Sequence, residues 1–435
     1  MKAFTQIPKL CLAPMVRIGT HPFRILALRN GADIVYTEEI IDKKLANVER
    51  RENHELKTVD FVHKKDEKVV LRVSSEEKGK VVCQIGTNSV EGAVKAALMV
   101  KGYVAGVDVN MGCPEYFSVH SGMGAGLLEV PDRAKSIMQA LKETLEVPVS
   151  CKIRILPKEE DTLEFIKAMQ SVEVDHLSIH SRIREEFSRG YAHWSIVKKA
   201  MEDEKITIPI RASGDCFSIN DAIEMNKYTS CEGILIARGA CHNPAIFKDI
   251  KKYWTTNSQN EDLKEKAKYL YSEHKKPLNE CGLENLAEKS EILNQLKPEA
   301  TDTLSKSQAK KRAKRILNKM KKSSSEQKGA DGKQSKILAK MIERRNIGCR
   351  KVDIIPLCQD YLKLAIEYGN NFGNTKYTLN YMLRTHKDQE VVFNKITSAQ
   401  NMQELAQAIT MDDFYSKMVS RQPSLKSYFD NTFYK

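Results

Sequence analysis

No run of eighteen apolar residues occurs in the 435-residue sequence, so no membrane-spanning helix is expected. A C-x-x-C pair is missing as well. The ten cysteines, at 11, 83, 113, 151, 216, 231, 241, 281, 349 and 358, argue against a zinc ribbon and against a secreted disulfide framework. They are expected to be reduced and mostly inert, and no metal is expected. The opening residues MKAFTQIPKLCLAP have neither the apolar core of a signal peptide nor the arginine-rich pattern of a transit peptide, which makes a cytoplasmic or nuclear location the expectation. No G-x-G-x-x-G follows the first strand-like run, which weakens a dinucleotide-binding doubly wound sheet.

What is present is a chain long enough for a barrel-sized domain and smaller units. Its hydrophobic content of 41% can fill a core, and its charged content of 29% implies a wide solvated surface. The net charge of +13 is concentrated in one place: residues 306–345 hold fifteen Lys or Arg against Glu326, Asp331 and Glu343. This segment reads either as a solvated linker or as a surface for a phosphate-bearing partner.

The chain is organised around GVDVNMGCPEYFSVHSGMGAGLL, Gly106–Leu128. A short buried strand runs to Asn110 and then into Gly112, Cys113 and Pro114, a turn that neither strand nor helix continues through. A thiol is thereby held at a strand mouth, before a loop carrying Gly122, Gly124 and Gly126. Seven further short apolar runs behave alike, over residues 9–13, 31–37, 81–85, 148–153, 176–179, 208–212 and 233–236, most followed by an amphipathic helix. Residues 57–73 read as a hairpin. The pattern predicts a (β/α)8 TIM barrel over residues 1–250 followed by an all-helical C-terminal domain. That domain is expected to start at 251–300, to carry a basic, flexible insertion at 301–345 and to resume over 346–435. Its helices are predicted near 261–281, 356–369 and 375–384.

In a closed barrel the strand ends surround one mouth. Met15, Gln84, Asn110, Cys113, Lys152, His180, Gly214 and Arg238 would then line a single pocket. Taken singly, His180 also reads as a core histidine and Lys152 as a surface lysine. Glycines after the seventh and eighth strands allow close backbone approach to a phosphate, and Arg238 adds a fixed positive charge. Lys152 and His180 suit the polar edge of a flat cofactor, and Gln84 matches an imide-like edge. Together these features favour a phosphate-bearing flavin, most simply FMN.

The runs CLAPMV, DIVYTEE, CQIG, VNMGCP, CKIR, IHSRIREEFSRGYAHW and ARGACHNP, between residues 11 and 244, closely resemble the tRNA-dihydrouridine synthases. The run YGNNFGNTKYTLNYML (368–383) is similar to the helical domain of the eukaryotic branch acting at position 20 of the D-loop. The usual pattern is departed from at Ser181, Ile183 and Ser213. The resemblance implies an FMN enzyme, driven by NADPH, that reduces a tRNA uridine to 5,6-dihydrouridine. It places Pro14, Met15, Val16, Gln84, Lys152, His180, Ser213, Gly214, Asp215, Ala237 and Arg238 at flavin-contact positions, and Cys113 as the proton donor. Asn110, Arg182, Arg184, Lys376 and Arg384 are candidate substrate contacts, with tRNA as partner and a monomer favoured. Two other readings stay open: a flavin barrel reducing a small activated alkene, and a non-catalytic tRNA-binding protein.

Overall fold

The computed structural model describes residues 7–186, 190–257, 272–278 and 352–430. Among the described residues eleven strands are present: β1 (Lys9–Leu12), β2 (Ile34–Ile41), β3 (Val48–Asn53), β4 (Thr58–His63), β5 (Val69–Ser74), β6 (Val81–Gly86), β7 (Gly106–Met111), β8 (Val149–Arg154), β9 (His176–His180), β10 (Ile210–Ser213) and β11 (Gly233–Ile236). Eight of them close a barrel in the order β1-β11-β10-β9-β8-β7-β6-β2, every pair parallel. The predicted TIM barrel and the helical C-terminal region are therefore both observed. Barrel strands are buried on both faces, which is why runs such as VVCQIG and GILI carry no alternation.

Local chemistry sets the helix ends. Ser89 and Ser218 cap the helices Val90–Val100 and Ile219–Thr229 by accepting from the Gly92 and Asp221 amides. Pro131 occupies the first turn of Pro131–Thr144, where its missing N–H is not needed. The barrel interior is filled below the mouth by a polar layer in which Arg211 donates to the Tyr36 hydroxyl (2.9 Å) and to His176 Nε2 (2.9 Å).

The predicted hairpin is two-thirds of a three-stranded antiparallel sheet, β3-β4-β5. Sequence reading missed β3 because VERREN has one core-facing residue, Val48, and is otherwise held at the sheet edge by backbone pairing. The sheet is bound to the barrel by buried charge. Glu77 accepts from Arg24 Nε at 2.5 Å and lies 2.8 Å from His21 Nδ1, while Arg24 also donates to the Gly19 and Arg72 carbonyls. Arg72 in turn pairs with Asp60 at 2.6 Å and donates to the Tyr368 carbonyl.

Tyr368 follows the helix Ile354–Glu367, the first described element of the C-terminal region, which continues as Phe372–Leu383, Glu390–Ser398, Met402–Ala408, Asp412–Arg421 and Leu425–Asp430. The second of these docks on the loop after β1: Asn374 Nδ2 donates to the Arg17 carbonyl at 2.6 Å, and the Arg17 guanidinium lies 4.2 Å from the Tyr377 ring centroid. Residues 272–278 pack on the barrel instead, with His274 stacked 4.2 Å from Trp194. The rest of the helix predicted over 261–281, and the basic segment 301–345, lie outside the described residues. Among the described residues no helix is long and apolar enough to cross a membrane.

Candidate active site

A cavity of about 320 Å³ opens at the C-terminal ends of the barrel strands. Pro14, Lys152, His180, Ser213, Gly214, Asp215, Ala237 and Arg238 line it, so eight of the eleven expected cofactor positions meet in one place. The other three sit differently. The Met15 sulfur lies 3.6 Å from Cys241 Sγ, beside the wall rather than in it. Val16 is 60% exposed and is not among the residues that line the cavity. Gln84 is buried beneath the mouth and donates to Asp108 Oδ2 at 2.8 Å; the other oxygen of Asp108 accepts from Ser150.

The electrostatics of the cavity follow from burial. Burial, with Arg154 adding repulsion, lowers Lys152 to about 8. Burial and the cations Arg154, Lys152, Arg182 and Arg238 hold His180 well below its ordinary value, so the ring is neutral at pH 7. Its Nε2 lies 3.3 Å from Arg182 Nη1, and since arginine only donates, Nε2 accepts and Nδ1 carries the hydrogen.

Burial opposes ionisation of Asp215, but Arg182, His274 and Arg238 outweigh it and keep the carboxylate charged. Both its oxygens lie 2.6 Å from Arg182 Nη2, and Oδ2 also accepts the Ala192 amide. Arg182 is fully buried in this pair. Arg182, expected as a substrate contact, here holds Asp215 and His180 and is not among the residues that line the cavity. The sequence could not show this, because the partner carboxylate lies 33 residues away.

Cys113 leaves β7 at the same mouth. Asn110 Oδ1 accepts the amides of Gly112 (2.9 Å) and Cys113 (3.0 Å), which sets the turn. Gly124 has φ +55°, and a Cβ there would stand 2.8 Å from Cys113 Cβ, so this loop position is open only to glycine. Pro114 and Glu115 line the cavity, and the half-buried thiol lies within electrostatic reach of Lys152 and Arg154. Burial and then the charge of Glu39 push the thiol above its usual value. It is a thiol, not a thiolate, at neutral pH.

Of the remaining expected substrate contacts, Asn110 holds the turn just described. Arg184 pairs with Glu129 and Glu185 at the rim. Lys376 donates to the Ala399 carbonyl at 2.7 Å, and the Arg384 guanidinium lies 4.9 Å from the Tyr381 ring centroid; neither is among the residues that line the cavity. Two aromatics that sequence reading passed over follow Cys113 closely: Tyr116 is 77% and Phe117 57% exposed. Two adjacent aromatics on a five-residue helix cannot both face inward, which was the available signal.

A closed parallel barrel with a cation-rich cavity at its strand C-termini defines a (β/α)8 protein with its ligand site in the usual place. The family profile described as "Dihydrouridine synthase (Dus)" matches residues 11–341, and the chain belongs to that family. It is 40% identical over 250 residues to a tRNA-dihydrouridine(20) synthase [NAD(P)+] of Schizosaccharomyces pombe, covering 55% of this chain and 52% of that one. A protein of the same description from Saccharomyces cerevisiae is 43% identical over 188 residues, covering 41% of this chain and 49% of its own length. The tRNA-dihydrouridine(20a/20b) synthase [NAD(P)+] of the same yeast is 28% identical over 302 residues, covering 66% and 76%. The chain thus spans about half the length of the first two relatives.

Proposed function

We propose that this chain reduces the C5–C6 double bond of uridine at position 20 of the tRNA D-loop, using FMN held in the mouth cavity and NADPH as electron donor. The observation that carries the reading is a protonated, half-buried Cys113 thiol beside a cationic cavity, in a chain of the dihydrouridine synthase family. Position 20 rests on the description shared by the two relatives that are at least 40% identical.

The cavity suits a phosphate-bearing flat ring. Its donors are Lys152, Arg154, Arg238 and the Nδ1–H of neutral His180, whereas the anion Asp215 is already engaged by Arg182. Gly214 has φ +126°, and a Cβ there would be 2.7 Å from Ala192 Cβ, so the backbone is bare where it approaches the cavity. When bound, FMN would supply the hydride for C6 of the uracil. Cys113 then holds the proton for C5, a task for a thiol whose pKa lies above the working pH. Lys152 and His180 orient the ring, and Arg182 with Asp215 keeps His180 in its donating tautomer. Because the mouth is recessed, the target base must leave its stack to reach the thiol. Exposed Tyr116 and Phe117 offer faces on which neighbouring bases can stack.

A dihydrouridine map of tRNAs from cells lacking the chain tests this reading. Loss at one D-loop position, restored on re-expression, is the expected outcome; an unchanged map would refute the reaction.

Lys152 gives a pH prediction. Its charge is present below about 8 and lost as pH rises through that value, so FMN should bind the apoprotein more weakly at pH 9 than at pH 7, by up to about tenfold. Fluorescence titration should find weaker binding and no such step in Lys152→Met. A step of equal size in that variant would assign it to another group.

A further inference from the structure

Glu39 lies at the mouth end of β2, opposite Gln84 of β6, and nothing in the proposed reaction uses it. Its Oε1 is buried and has no hydrogen-bond partner among the described residues. Space for it is cleared by Gly86, where a Cβ would come within 2.5 Å of that oxygen. Asn110 is close enough to the carboxyl to favour its ionised form, and the same Asn110 holds the Cys113 amide through its Oδ1. One asparagine therefore joins a buried carboxyl to the turn that carries the thiol.

We infer that Glu39 is a positioning and proton-supplying residue that acts through Cys113, returning to the sulfur the proton that the sulfur gives up. This rests on the reading of Cys113 as proton donor. In the step, the O–H bond of the Glu39 carboxylic acid breaks, an S–H bond forms on the Cys113 thiolate, and Glu39 is left as a carboxylate that takes a proton from solvent. No electrons change hands. Burial holds the Glu39 carboxyl up at about 7, with the Asn110 contact opposing it, so near neutral pH a large fraction carries a proton. The field works in the same direction: a bare thiolate favours the acid form of Glu39, and an ionised Glu39 favours the thiol.

Other groups face the sulfur. Glu115, on its own loop, raises the thiol, while the Glu115 backbone and the Ser118 hydroxyl lower it. Lys152 and Arg154 on β8 favour the thiolate. All of these persist in Glu39→Gln, so comparison with the wild type isolates Glu39.

The full-length protein provides two readouts. In the first, iodoacetamide labelling of Cys113 is followed by peptide mass spectrometry from pH 6 to 10 without RNA. Glu39→Gln should shift the midpoint downward and label about three- to tenfold faster at pH 7.5, because the thiolate is the reacting form. In the second, pre-reduced protein is mixed with tRNA transcript. A single turnover should stay within about twofold of wild type in Glu39→Gln, since Cys113 starts protonated. Steady-state turnover should fall about tenfold, with Glu39→Asp restoring most of it. Flavin absorbance checks that the variants are folded. An unchanged labelling profile, or steady-state turnover equal to wild type, would overturn the inference. If instead Cys113→Ala still formed dihydrouridine, the proton-donor reading would fail while the labelling shift stood, so the two failures are distinguishable.

Discussion

Cys113→Ala is expected to retain flavin absorbance and NADPH oxidation while dihydrouridine formation falls by about 10²- to 10⁴-fold, the range for losing a positioned acid. The argument is geometric. The turn bearing Cys113 is fixed by backbone amides donating to Asn110 and by contact with Gly124, so alanine fits without disturbing the cavity wall formed by Pro114 and Glu115. What disappears is the half-buried thiol at the end of β7. Cys241 and Cys216 are nearby but buried, and Cys241 is packed against Met15. Separate assays of NADPH oxidation and of product nucleoside check the prediction. Dihydrouridine formed at the wild-type rate would remove Cys113 from the reaction.

The second large effect is on stability. Glu77→Ala is expected to destabilise the fold by about 3–5 kcal/mol, because it leaves Arg24 buried with its principal counter-charge removed. A matched Glu77→Gln variant keeps the shape and loses the charge, and should fall in between. The pH dependence has a definite sign. Burial alone would raise the carboxyl, but Arg24 and His21 outweigh it and bring it down to about 2 from its ordinary 4.5. The group therefore contributes stability that is fully present above about 4.5 and lost as pH falls towards 2. Urea unfolding at pH 7 and pH 3 should show the gap between wild type and Glu77→Ala narrowing in acid. A gap that is constant or widens would mean that the ion pair is not its source.

Both effects involve residues whose importance was unequally visible in the sequence. Cys113 could be found because the chain announces it: a strand, a Gly-Cys-Pro stop and a run of glycines cannot fold as anything but a turn at a strand mouth. The eight barrel strands were legible for a related reason, since double-sided burial writes itself as short continuous apolar runs separated by helical periods. Glu77 and Arg24 left no such trace. Each reads as an ordinary surface charge on a short helix, and only the packing of the β3-β4-β5 sheet over the helix His21–Arg29 puts them together.

The same limit explains the assignment of Arg182. Local sequence shows a charge just beyond a barrel strand, but not that Asp215, beyond the next strand, will take it inward. In the sequence Glu39 is one acid of the DIVYTEE run; its setting becomes apparent once Gly86 and Asn110 are seen around it. His274 came from a segment assigned to the second domain, yet it stacks on Trp194 and lies 4.0 Å from Asp215.

The Asn374 amide that grips the Arg17 carbonyl bears on how this protein can be dissected. Arg17 stands three residues beyond Pro14, which forms part of the cavity wall, so a helix more than 350 residues downstream braces the rim of the ligand chamber. Trimming the polypeptide after the barrel would remove that brace along with the rest of the C-terminal helices. A shortened protein with an altered cavity would be reporting a loosened rim, and could not be used to divide labour cleanly between the barrel and the helices behind it.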